Sequence, residues 1–103
     1  MEAENIKTEK ELIAFCEKLI LKHEDDFKIF VSERSALHHA QYKAVLTVIV
    51  PVSAGEVVLK ELMDLTPLLN FKNSNVDATD ERGVDILNFD FTLDFMRSCL
   101  KDE

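Results

Sequence analysis

From Leu87 to Phe95 the chain reads Leu-Asn-Phe-Asp-Phe-Thr-Leu-Asp-Phe, apolar and polar residues alternating without a miss. Successive side chains of a strand point to opposite faces, so this period of two specifies a half-buried β-strand. One face carries Leu87, Phe89, Phe91, Leu93 and Phe95; the other carries Asn88, Asp90, Thr92 and Asp94. The first face marks the centre of a core. The second needs water or a partner.

The remaining elements are read from the same local rules. Thr8-Glu9-Lys10-Glu11 has the spacing of a capping box. Behind it Leu12, Phe15, Cys16, Leu19, Ile20 and His23 recur at helical spacing, which predicts a helix over 9–23. A strand is expected over 27–33, then a polar connection over 34–41. The next strand, 42–50, is apolar on both faces (Ala44, Leu46, Val48 and Val50 against Val45 and Ile49), as a central strand is. Pro51 ends it. Ser53-Ala54-Gly55-Glu56 has the form of a second capping box, and Val58, Leu59, Leu62, Met63 and Leu65 form the apolar stripe of a second helix. Pro67 closes that helix at Thr66. Residues 69–78 make a weaker strand, diluted by Asn70, Lys72, Asn73, Ser74 and Asn75, that suits a sheet edge. A turn at Asp80-Glu81-Arg82-Gly83 leads into the alternating strand. Met96, Cys99 and Leu100 at i, i+3 and i+4 suggest a last helical turn.

The order is α-β-β-α-β-β. Two similar halves each bring a helix and a hairpin, and both helices can cover one face of a four-stranded antiparallel sheet. The expected fold is therefore α+β, a two-layer sandwich of permuted ferredoxin-like kind. The most apolar strands, the second and fourth, belong in the middle, giving a sheet order of 3-4-2-1. With Leu46, Val48 and Val50 toward the helices, Val45, Thr47 and Ile49 turn outward. They join Phe30 from the first strand and Asn88, Asp90, Thr92 and Asp94 from the fourth. That open face reads as half acidic and half apolar, and these eight residues are the candidate partner-binding set.

The chain has 103 residues, 47% of them hydrophobic, and reads as one domain over 1–103. A chain of this size buries roughly 65% of its unfolded surface, enough for one core without metal or disulfide. Two Gly and two Pro exclude long flexible linkers. The longest apolar run, 44–52, is far short of the ~20 residues of a membrane span. The acidic N-terminus lacks the pattern of a signal peptide. Twenty acidic against twelve basic residues give a net charge of −8. Such a surface repels a phosphate backbone and steers toward basic partners. Cys16 and Cys99 form no CxxC pair, and Cys16 falls on the apolar face of the first helix. Two such thiols fit a reducing, cytoplasmic location.

No constellation for catalysis emerges. His38 and His39 are adjacent in a loop, but no HExxH and no converging group accompanies them. His23 suits the end of a helix, where its protonated form favours the macrodipole. Residues 73–84 begin like a calcium loop, yet the glycine position holds Ala78 and the glutamate position holds Val84. Asp85, Asp90 and Asp94 are the carboxylates closest to an acid/base reading. Asp90 and Asp94 lie about 13 Å apart along a strand, too far for a glycosidase pair. Two glycines cannot build a phosphate-binding loop.

The expectation is a small acidic, non-enzymatic protein-binding module of inhibitor, immunity or adaptor type, needing no cofactor or metal. The expected partner is a protein with a basic surface, of the kind that handles nucleic acid, since carboxylates can mimic phosphates. The alternative is a structural assembly module that forms a homodimer or larger oligomer through the open face or an edge strand. The element order is similar to that of periplasmic ring domains of type IV pilus and type II secretion systems. Those domains normally follow a membrane helix and a coiled coil, and neither is visible here.

Overall fold

The computed structural model describes residues 6–37, 40–77 and 83–94. The readings made for His38 and His39, for Ala78 and the turn at 80–82, and for Phe95, Met96, Cys99 and Leu100 lie outside the described residues.

Two helices and four strands follow one another as α1 (Glu9–Leu21), β1 (Lys28–Ala36), β2 (Gln41–Pro51), α2 (Val52–Leu65), β3 (Asn70–Asp77) and β4 (Val84–Asp94). The strands form one antiparallel sheet in the order β1-β2-β4-β3. This is an α+β fold with its two most apolar strands in the middle. β2 and β4 pair without a slip from Gln41↔Asp94 to Pro51↔Val84 and act as the spine. Both edge strands slip register, β1 between Ser32 and Ser35 and β3 between Phe71 and Asn73.

The spine puts Tyr42, Ala44, Leu46 and Val48 beside Leu93, Phe91, Phe89 and Leu87 on one face. All eight are buried, and they share one apolar cluster with Leu12, Cys16, Leu19 and Ile20 of α1 and Ala54, Val58 and Leu62 of α2. Each fully buried Leu or Phe in that cluster contributes about 1.5–3 kcal/mol. Met63 and Leu65, expected in the α2 stripe, are instead 39% and 43% exposed. The buried stripe of α2 is Ala54, Gly55, Val58 and Leu62, with Leu59 half-buried against the same cluster.

Helix α1 starts as its sequence requires. The Glu11 N–H donates to Thr8 Oγ1 at 3.1 Å, and the Thr8 N–H donates to Glu11 Oε1 at 3.1 Å. The helix ends at Leu21, two residues earlier than the spacing suggests, although the His23 N–H still reaches the Ile20 carbonyl. Helix α2 corrects the sequence reading. Its N-cap is Pro51, and no side chain caps it. Pro51 also pairs with Val84 in the sheet, so β2 passes into α2 without a loop. Ser53 is already inside the helix and cannot act as a cap. Thr66 ends α2 before Pro67, its N–H donating to the Leu62 carbonyl.

The supposed connection over 34–41 is likewise shorter than expected. After the slip, Ser35 and Ala36 rejoin the sheet opposite Lys43 and Tyr42. Glu33, at φ 53°, supplies the kink. Arg34 then turns back to α1, donating to both Glu9 carboxylate oxygens at 2.7 Å, while Tyr42 Oη donates to Glu9 Oε2 at 2.8 Å. A second tie joins the helices, with Glu61 of α2 3.4 Å from His23 and 3.8 Å from Lys22.

Candidate functional site

Cross-strand pairing sets the other sheet face in rows. Phe30, Thr47, Asn88 and Asn73 form one row across all four strands. Lys28, Ile49, Ile86 and Asn75 form the next, and Ser32, Val45, Asp90 and Asn70 the one on the other side. Lys43 with Thr92, then Gln41 with Asp94, continue the face along the spine. All eight residues singled out from the sequence therefore lie on one face. Neither helix joins it, since the buried residues of both helices cluster with the opposite side of the sheet.

Burial divides the eight. Val45 and Thr47 are 5% and 6% exposed and form a floor. Phe30 stands above them at 45%, and Asp94 is exposed. Ile49, Asn88, Asp90 and Thr92 lie between. Through the centre runs a polar ladder. Thr47 Oγ1 donates to Asn88 Oδ1 at 2.7 Å, and Asn88 Nδ2 donates to Asn73 Oδ1 at 2.9 Å. These bonds hold three strands' side chains in fixed positions and satisfy the half-buried amide. Around the ladder lie three apolar groups, Phe30, Ile49 and Ile86.

The face is less acidic than the sequence reading had it. Lys28 and Lys43 arrive from β1 and β2, and Lys43 Nζ lies 4.0 Å from Asp90 Oδ2. Lys72, caught in the slip of β3, lines a shallow hollow of about 260 Å³ with Glu33, Ser35, Lys43, Val45 and Asp90. The polar row of the fourth strand alone gave the acidic impression, and its neighbours balance it. Ile86 was within reach of the sequence, because it precedes Asn88 by two and shares its parity. Asn73 was not, because the slip between Phe71 and Asn73 breaks the alternation of β3.

Elsewhere the chemistry is muted. Among the described residues, no group of three or more His, Cys, Asp or Glu side chains is arranged to hold a metal ion. Burial pushes the Cys16 thiol up to about 12, so it stays protonated and inert at neutral pH. Asp85 lies on the helix side of the sheet, away from Asp90 and Asp94, against Gly55 in the first turns of α2. Burial raises its pKa above the ordinary 3.8, and among the described residues its Oδ1 accepts no hydrogen bond. No described helix is long and apolar enough to cross a membrane. Compared with known proteins, the chain matches no family model, no curated protein and no solved structure.

Proposed function

We propose that this chain is a non-enzymatic protein-binding module, of inhibitor, immunity or adaptor type, that docks through the helix-free face of its sheet. The observation that carries this reading is the apolar arc of Phe30, Ile49 and Ile86 set around a hydrogen-bonded ladder on a face that no described element covers. A contiguous apolar patch rimmed by polar groups marks a contact surface. Strand-borne side chains tied to one another lose little freedom on binding, which favours affinity. Phe30 is the anchor, and Asp90, Asp94, Lys28 and Lys43 form the charged rim. The net charge of −8 steers a partner with a basic surface, while the lysines on the rim select carboxylates in its detailed pattern. The architecture supports a permuted ferredoxin-like description, and the inert buried thiol suits a reducing cytoplasm.

The test is affinity capture with mass spectrometry, followed by kinetics on the captured partner. Phe30→Ala is expected to weaken the complex at least tenfold, chiefly through faster dissociation. Asp90→Lys with Asp94→Lys should slow association and flatten its salt dependence. Wild-type kinetics in both variants would remove this face from consideration.

A further inference from the structure

Strand β3 carries a second surface, on its outer edge and helix side, opposite the side by which Asn70, Asn73 and Asn75 join the face above. All eight residues from Asn70 to Asp77 are exposed. One edge of β3 pairs with β4, and no described strand pairs with the other. On its helix side, Phe71 sits opposite Phe89, the rings 5.8 Å apart, and Val76 sits opposite Asp85. These two stay 41% and 63% exposed because the helix layer stops short of the sheet edge.

The nearby flank of α2 carries apolar side chains too. Glu61 reaches Lys22 and His23, so its flank faces α1. At about 100° per residue, Val52, Leu59 and Met63 fall on the opposite flank, toward β3. Val52 and Met63 are 41% and 39% exposed. These apolar side chains, with Ser74 between Phe71 and Val76 and Glu56 beside Met63 on the helix flank, border an open strand edge. The slip between Phe71 and Asn73, with Lys72 inside it, blunts the first half of that edge. The regular half is 73–77.

We propose that β3 accepts an added strand, supplied by an extended basic segment of a partner with apolar residues at alternate positions. An unpaired backbone edge selects an extended chain, and the pleat directs every second side chain toward the apolar groups beside that edge. Charge selects the occupant. A second copy of this chain brings another −8 and is repelled, whereas lysine and arginine side chains are drawn to a molecule of this charge. β3 itself offers little resistance, with Lys72 and Asp77 its only charged residues.

The test uses a synthetic decapeptide of alternating lysine and valine, titrated into isotope-labelled protein. Its glutamate–valine counterpart and a backbone N-methylated copy serve as controls. Amide shifts are expected to centre on 73–76, to weaken as salt rises, and to be absent with both controls. Val76→Lys or Met63→Lys, both at exposed positions, should weaken binding at least tenfold. The absence of shifts at millimolar peptide, or unchanged binding by both variants, would overturn the proposal. Shifts confined to Phe30, Ile49 and Asp90 would overturn it while favouring the docking face. Concentration-dependent dimers in sedimentation, abolished by Val76→Lys, would assign the edge to a second copy instead.

Discussion

Two buried threonines show how differently one hydroxyl can serve. Thr8 is 3% exposed and its Oγ1 accepts the first-turn N–H of Glu11. Thr66 is fully buried at the end of α2, and among the described residues its Oγ1 has no partner. A buried hydroxyl without a partner costs about 1–3 kcal/mol, while a lost N-cap costs about 1 kcal/mol. Thr66→Val, which keeps the shape and removes the hydroxyl, should leave the fold as stable or about 1 kcal/mol more so in urea denaturation. Thr8→Ala should lose about 1 kcal/mol in the same assay. A clear loss for Thr66→Val would mean that its hydroxyl is satisfied. The Thr8 cap was legible because the motif is closed within four residues. The Thr66 orphan was not, because what surrounds a side chain after folding leaves no local trace.

Among the elements, the β2-β4 spine was the most readable, since strict alternation over 87–94 and two-sided burial over 42–50 each admit one placement. The helix-free face followed from parity alone wherever the strands run straight. Parity held on β1 as far as Ser32; past the slips at Ser32/Ser35 and Phe71/Asn73 the faces shift with no mark in the composition. The capping box at Ser53 misled for a related reason. The four-residue pattern is present, but Pro51 already belongs to strand and cap at once. What seats α2 instead is a close approach. A Cβ on Gly55 would run into the Asp85 carboxylate, 2.9 Å from its Cγ and 3.0 Å from its Cβ. Gly55→Ala should therefore cost about 1–3 kcal/mol, despite the better helix propensity of alanine. In an Asp85→Ala background most of that cost should disappear, which a double-mutant cycle in denaturant reads directly. Additive effects would show that α2 does not rest on Asp85.

For the molecule as a whole, two carboxyls pull stability in opposite directions in acid. The Arg34 hydrogen bond holds Glu9 below its ordinary 4.5, with burial opposing and Tyr42 and the Arg34 charge assisting. Its contribution is complete above pH 4.5 and is lost as pH falls through the lowered value. Asp85 works the other way. Burial favours its protonated form, so its contribution is complete below pH 3.8 and is lost as pH rises through the raised value. At pH 7, Glu9→Gln should be about 1 kcal/mol less stable than wild type, because hydrogen bonds to a charged group are lost from a half-exposed pair. Asp85→Asn should be slightly more stable, since the partial desolvation of a charge that solvent still screens is removed. Thermal melts across pH should bring Asp85→Asn level with wild type first, near pH 3.8, and Glu9→Gln only in stronger acid. Parallel curves would refute both assignments. The join at Pro51 bears on the molecule at this same scale. With no slack between β2 and α2, the central strand sets the helix's rotation directly. One added residue there would turn α2 by about 100° and swing Val58 out of the interior, so the lineage of this chain can lengthen its hairpins far more easily than this single peptide link.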